Sequence, residues 1–260
     1  MENSILKSPI IVVGMGELGS VFARGFLKLG CPVQGITRNM SMQTVAESLP
    51  TPQAVLIAVG EADIHATLKA CPSEWADKVI LIQNELLPRD WQTTHLIDPT
   101  VISVWFEKKK GMDSKQVMPS PVYGQHAQLV ADALAELGLE TRILETPEQL
   151  NYELVRKNLY ILTTNIAGLE VGGNVDELAK NHAAVMNAVA LDVLAIQDFL
   201  TAQQNSVEPL MAGLLEAFAG DPQHGCMGRS APARLKRALM FADQANLSVP
   251  TLRKIAAQHL

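Results

Sequence analysis

The sequence predicts an α/β fold with a mostly parallel sheet, followed by an all-helical second domain. Three observations carry that prediction. Short β-branched runs alternate with amphipathic segments through the first half of the chain. The alternation stops at Glu145-Thr146-Pro147-Glu148, and beyond it every periodic stretch has helical spacing. The expected domains are therefore residues 1–146 and 147–260.

Pro9-Ile10-Ile11-Val12-Val13 has the apolar, β-branched character of a strand buried on both faces. Leu18, Val21, Phe22, Phe26 and Leu29 then recur at helical spacing, and Gly30 stands where a helix would be capped. Val33-Gln34-Gly35-Ile36-Thr37 supplies a second strand, so residues 9–37 make one βαβ unit. Residues 54–59 and 79–82 repeat the buried-strand pattern, with a helical stretch near 62–70 between them. A further strand is expected at Val101-Ile102-Ser103-Val104-Trp105, a helix over 126–137, and Thr141-Arg142-Ile143-Leu144 at the sheet edge. In the second half, helices are expected over 148–168, 176–203, 207–219 and 231–245, with a short last one from Pro250.

Composition narrows the function. Apolar residues make up 48% of the chain and charged residues 18%, enough to bury a core. A net charge of -6 argues against nucleic acid, for which binders are normally basic. Lys108-Lys109-Lys110, the one basic run, suits a solvated loop beside Gly111. Cys31, Cys71 and Cys226 form neither a metal spacing nor a disulfide framework, which fits a cytoplasmic protein without a metal. His224 and Cys226 are taken as loop residues. No apolar run approaches the roughly 18 residues of a membrane span. The segment from Met1 to Gly19 has the pattern of a first strand rather than a signal peptide.

Between the first strand and the first helix lies Gly14-Met15-Gly16-Glu17-Leu18-Gly19, a G-x-G-x-x-G turn in the context it needs. Gly14 permits the tight turn, Gly16 clears space for a pyrophosphate, and Gly19 lets the helix pack closely on the strand. The helix N-terminus offers unpaired N–H groups to the phosphates. This is the signature of a Rossmann-type dinucleotide site. An NAD enzyme usually carries an acidic residue about 20 residues past the motif, on the ribose hydroxyl. Here Thr37-Arg38-Asn39 ends the second strand instead. Arg38 pairs naturally with a 2′-phosphate, so NADP(H) is the expected cofactor; the plain alternative is a surface charge. Val59 and Gly60, after the third strand, and Asn84, after the fourth, complete the cofactor-binding set.

On one predicted helix Lys157, Ile161 and Asn165 lie at i, i+4 and i+8, a single stripe. Reducing a ketone by hydride builds negative charge on oxygen, so a proton donor must stand beside it. Such a stripe can present the Lys157 ammonium and the Asn165 amide to one small substrate, and Asn84, at the carboxyl end of a strand, can hydrogen-bond that substrate or hold Lys157 in position. Each also has a plain alternative: Lys157 as a solvated lysine, Asn84 as a turn residue, Asn165 as part of a helix end.

Several of these stretches together resemble the ketopantoate reductase family, within the 6-phosphogluconate dehydrogenase-like group of two-domain NADP-dependent oxidoreductases. They are the glycine turn with Val33-Gln34-Gly35-Ile36-Thr37-Arg38, the strand ending in Gln83-Asn84, and Glu153-Leu154-Val155-Arg156-Lys157 followed by Asn165. Asp176-Glu177-Leu178 and the stretch from Ala242 to Pro250 extend the match. The resemblance implies Lys157 as general acid, with Asn84 and Asn165 positioning the substrate.

Three departures qualify it. Gly60 stands where the family often has a lysine, Ile161 where it has a second helix asparagine, and Ser230 falls at the family's substrate-binding glutamate. Residues 220–233 match poorly, and the chain is shortened there. Three readings stay open: an NADPH-dependent reductase of a small 2-oxo acid or related carbonyl compound, a related 3-hydroxy-acid or imine dehydrogenase, and a non-catalytic NADP(H) sensor. The expected partners are a small-molecule substrate and, by analogy, a second copy in a homodimer, with neither nucleic acid nor membrane.

Overall fold

The computed structural model describes residues 7–82, 84–108 and 111–260. The chain divides into two compact units, residues 1–153 and 154–260.

The first unit is built on a seven-stranded sheet in the order β2-β1-β3-β4-β5-β8-β9. Its first five strands are β1 (Ile10–Val13), β2 (Val33–Ile36), β3 (Ala54–Ile57), β4 (Val79–Leu81) and β5 (Thr100–Ile102). All five run parallel, with Ile10 opposite both Val33 and Ala54. The crossovers carry α1 (Glu17–Lys28), α2 (Met42–Ser48), α3 (Ile64–Lys69) and α4 (Pro88–Gln92). β1, β3 and β4 are buried along their whole length, which is why their sequences are uninterrupted Val, Ile, Leu and Ala.

Past β5, a short hairpin pairs β6 (Phe106–Glu107) with β7 (Lys115–Gln116). β8 (Ser120–Tyr123) then joins the sheet antiparallel to β5, and α5 (Ala127–Ala135) leads to β9 (Thr141–Ile143), parallel to β8 at the edge. The predicted strand at 101–105 is thus shorter, and β8 is an addition. Pro121 hid it: a residue with no N–H is uncommon in a strand paired on both sides. Here its carbonyl accepts from Ser103 N–H at 2.9 Å, while the Ser120 hydroxyl accepts from Trp105 N–H at 2.9 Å. The core lies between the sheet and the α1–α5 pair, with Phe22, Phe26, Val130 and Leu134 against Val12, Leu56 and Val122.

The second unit is helical. α6 (Pro147–Val171) starts at the end of the first unit and continues through the second, followed by α7 (Val175–Asn181), α8 (Ala183–Thr201), α9 (Val207–Gly220), α10 (Ala231–Gln244) and α11 (Pro250–His259). The expected helix over 176–203 is two helices, broken at His182. α7 begins with a reciprocal cap in which Asn174 Oδ1 accepts from Glu177 N–H and Glu177 Oε2 accepts from Asn174 N–H.

α8 packs against α7, α9, α10 and α11. It is the one helix among the described residues long and apolar enough to cross a membrane by length and composition. Its sequence is not an uninterrupted apolar run, because Asn187, Asp192, Gln197 and Asp198 punctuate the stretch. Asn187 is exposed, and Asp192, Gln197 and Asp198 are engaged within the unit. Asp192 Oδ2 accepts from Thr251 N–H at 2.8 Å and Leu252 N–H at 3.0 Å, supplying a cap to α11 that Pro250 and Val249 do not. Gln197 Oε1 accepts from Asn158 Nδ2 at 3.0 Å, a buried bond that ties α6 to α8.

Candidate active site

The glycine turn leaves β1 and opens directly into α1, and its three glycines serve three different spatial needs. Gly14 has φ of 95°, and a side-chain carbon there would lie 2.5 Å from the Ala58 carbonyl oxygen. At Gly19 such a carbon would lie 2.0 Å from the Gly14 carbonyl oxygen and 3.2 Å from Ala58 Cβ. Both positions are closed by the protein itself. Gly16 is different: a side-chain carbon there would meet nothing within 4 Å. Its lack of a side chain therefore keeps outside space clear rather than relieving an internal clash. Gly16 is also the N-cap of α1 and offers no side chain to the first-turn N–H groups. Those donors face an open approach, as a pyrophosphate requires.

Around the turn, Met15 and Glu17 are exposed, while Leu18 packs on the core. The Met15 side chain lies over Gly35 of β2, where an added carbon would be 3.0 Å from Met15 Cγ. Thr37 and Arg38 are both exposed just past the carboxyl end of β2. The Arg38 side chain is 94% exposed, and its Nη2 lies 4.0 Å from Asp63 Oδ2, itself 56% exposed. An ion pair so long and so wet contributes about 0–1 kcal/mol, so it leaves Arg38 available to a phosphate. Val59 is half-buried and Gly60 exposed beyond β3, and the Gly60 carbonyl accepts from Asp63 N–H at 3.0 Å. Asn84 lies in a turn past the end of β4, half-buried and four residues before α4; Gln83 lies outside the described residues.

In the second unit α6 sorts its polar residues by direction. Arg156 and Asn158 are buried and structural: Arg156 Nε donates to the Gly213 carbonyl at 3.1 Å and its Nη2 to Glu216 Oε2 at 2.8 Å, on α9. Lys157, one residue between them, turns to another face, where its Nζ sits 5.5 Å from the centroid of the Tyr160 ring. It is half-buried. Burial first, and then the positive charge of Arg234, push Lys157 down to about 7. The solvated-lysine alternative does not describe this group.

Asn165 is buried farther along the same stripe, and α6 runs on to Val171, so it is not a helix-end residue. Its Oδ1 accepts from Arg234 Nη1 at 2.9 Å and its Nδ2 donates to Thr164 Oγ1 at 3.4 Å. Ile161, between Lys157 and Asn165, is buried. Ser230 is half-buried at the N-cap of α10 and makes no side-chain capping bond. Its carbonyl accepts from Arg234 N–H, so the two stand one helical turn apart.

Residues 221–230, within the stretch 220–233 that matches the family pattern poorly, cover this face of α6. The His224 ring is 6.1 Å from that of Tyr160, and its Nδ1 is 3.8 Å from buried Asp221 Oδ2. Cys226 crosses α6 at Gly168, where a side-chain carbon would lie 2.9 Å from Cys226 Cβ. At Gly228 such a carbon would come within 3.5 Å of Asn165 Oδ1. Backbone bonds from Val175 N–H to the His224 carbonyl and from Cys226 N–H to the Gly173 carbonyl hold the segment in place. Sequence reasoning missed Tyr160, His224 and Arg234. The available signals were the i+3 spacing from Lys157 to Tyr160 and the i+4 spacing from Ser230 to Arg234.

No protein-family model matches the sequence, and no curated protein does so either. Solved structures match its fold over nearly the whole chain. A ketopantoate reductase of the PanE/ApbA family from Ralstonia eutropha JMP134 matches with a TM-score of 0.66, at 13% identity, over 96% of both chains. The fold is that of the ketopantoate reductases. The 2-dehydropantoate 2-reductase from Methylococcus capsulatus gives a TM-score of 0.68 at 14% identity, over 96% of this chain and 95% of its own. A D-mandelate dehydrogenase in complex with NADH gives 0.66 at 14% identity, over 96% and 97%. The predicted Rossmann-type sheet followed by a helical domain is the fold that these structures share.

Proposed function

We propose that the chain is an NADPH-dependent oxidoreductase that reduces a small 2-oxo acid, with Lys157 as its proton donor. The observation that carries this reading is Lys157 itself: a half-buried amine, held near 7, on the same helix face as Asn165. A structural lysine has no need of that position, whereas a general acid working at neutral pH does. The shared fold supports the reaction class, because it includes ketopantoate reductases and a D-mandelate dehydrogenase.

The residues of the first unit suit a nicotinamide dinucleotide. Gly16 and the first turn of α1 would hold the pyrophosphate, and Arg38 would pair with a 2′-phosphate. A nicotinamide cofactor held there would supply the hydride. Lys157 Nζ would give its proton to the carbonyl oxygen, on which the carbon–oxygen π pair would come to rest as the ketone is reduced. The amine left behind recovers its proton from water. Asn84 and Asn165 would orient the substrate, and Ser230, one turn before Arg234, would border it.

The test is NADPH oxidation by the purified protein with ketopantoate, pyruvate and phenylglyoxylate in parallel. Turnover of at least one, faster with NADPH than with NADH, is the expected result. NADPH binding without turnover of any would favour the sensor. A homodimer completes the proposal: Leu191 on α8 and Val207 and Leu215 on α9 are exposed apolar residues, and the ketopantoate reductase from Staphylococcus aureus is described as dimeric. Light scattering at the mass of two chains is the expected result.

A further inference from the structure

We propose that Tyr160 is a positioning residue, whose ring face seats the Lys157 ammonium and holds it in place. This rests on the reductase reading and adds to it the group that steadies the proton donor.

Tyr160 follows Lys157 by three positions on α6, so the two side chains are neighbours on the helix surface. Lys157 Nζ lies over the Tyr160 ring, 5.5 Å from its centroid, within the distance at which a ring quadrupole attracts a cation. The ring is buried, and its orientation is fixed from outside α6. Phe218 of α9 meets it edge-to-face, with centroids 5.8 Å apart and planes at 69°. The His224 ring lies 6.1 Å away, from the segment before α10. α9 is itself anchored on α6 by Arg156, which donates to the Gly213 carbonyl and to Glu216. Tyr160 is thus a rigid surface beside a flexible side chain.

A lysine that gives a proton to a small substrate needs such a surface. Its four-carbon stem has many rotamers, and most of them carry Nζ away from any one substrate atom. A ring face attracts the ammonium without taking its proton. It also favours the charged form, whereas burial and the charge of Arg234 oppose it. Further ionisable groups near the pair are Arg156, bonded to Glu216, and His224, 3.8 Å from Asp221. Ile161, which stands where the family pattern has an asparagine, brings no polar atom to the stripe. The residue before it, Tyr160, supplies an attraction of another kind.

The experiment uses the full chain with its lysines labelled with 13C at Cε. The Lys157 resonance, identified by its loss in Lys157→Arg, is followed by NMR against pH. The proteins compared are the wild type, Tyr160→Phe, Tyr160→Leu, and one with pentafluorophenylalanine in place of Tyr160. That fluorinated ring keeps its shape but no longer presents negative charge on its face. Lys157 should titrate at the wild-type midpoint in Tyr160→Phe. In the other two its midpoint should fall by about half a pH unit or more, as expected for losing a cation–π contact. The fluorinated ring fills the same space, which guards against a folding defect in the leucine variant. A midpoint that stays at the wild-type value in the fluorinated protein, or that falls equally in Tyr160→Phe, overturns the assignment. Turnover of 2-oxo acids is scored separately, and the falling limb of its pH–rate profile should move with the NMR midpoint. If turnover is found while the midpoint ignores the ring, the reductase reading stands and the role of Tyr160 falls. If the midpoint depends on the ring but no 2-oxo acid turns over, the reverse holds.

Discussion

Arg234 Nη1 donates to Asn165 Oδ1 at 2.9 Å, joining two residues 69 positions apart in sequence. The contact ties the start of α10 to the face of α6 that carries Lys157. It also brings a second positive charge toward a lysine whose burial already disfavours the ammonium form.

The pH dependence of reduction follows from that relationship. The protonated form of Lys157 is the active one, so the rate should be level below about 7 and fall as pH rises through it. Replacing Arg234 by Gln removes a positive charge, which raises the lysine's pKa and moves the falling limb to higher pH. A pH–rate profile of kcat for both proteins checks this.

Stability should move in the opposite sense from activity at Lys157. In the folded chain this lysine is held at about 7, against 10.5 for an ordinary lysine. Between those values the unfolded chain binds more protons, so stability rises with pH across that window. The destabilisation is complete below about 7 and gone above 10.5. Lys157→Met should therefore raise the unfolding temperature at pH 7, and the gain should shrink toward pH 10. Thermal unfolding at the two pH values measures it.

The glycine turn offers a separation of fold from binding. Gly16→Val meets nothing within 4 Å at its first side-chain atom, so the variant should fold, with a melting temperature lowered only by the poorer N-cap that valine makes. Its side chain would occupy the pyrophosphate's space, and NADPH affinity should drop by about tenfold or more. Gly19→Ala places a carbon 2.0 Å from a backbone oxygen and should lower stability itself. Calorimetric unfolding alongside NADPH titration distinguishes the two.

Arg38→Ala should erase the preference for NADPH while leaving NADH affinity nearly constant. The Asp63 pair is too long and exposed to compete with a phosphate. Parallel titrations with both cofactors give the ratio directly; equal affinities in the wild type would contradict it.

Asp192→Ala should destabilise the helical unit without touching the cofactor. It removes the acceptor for Thr251 and Leu252 N–H at the start of α11, leaving two donors without their cap. The expected loss is about 1–2 kcal/mol, read from chemical denaturation.

Much of this architecture was legible because its signals are local. β1, β3 and β4 are buried on both faces and so consist of unbroken apolar residues, and the glycine turn is defined by contacts with its own neighbours. β8 was not legible, because Pro121 contradicts local strand chemistry and its place is set by pairing with β5 and β9. The break at His182 was hidden by continuous helical periodicity on either side. In the site, Lys157 and Asn165 were readable as a stripe on one helix. Arg234 and His224 were not, because they reach α6 from α10 and from the segment before it, which only the folded chain brings there.

The most direct measurement is single-turnover oxidation of bound NADPH by the best 2-oxo acid, in the wild type and in Lys157→Ala. The account predicts a rate loss of about 10²–10⁴-fold with NADPH affinity unchanged. A variant that reduces the substrate at the wild-type rate would contradict the assignment of Lys157 as proton donor.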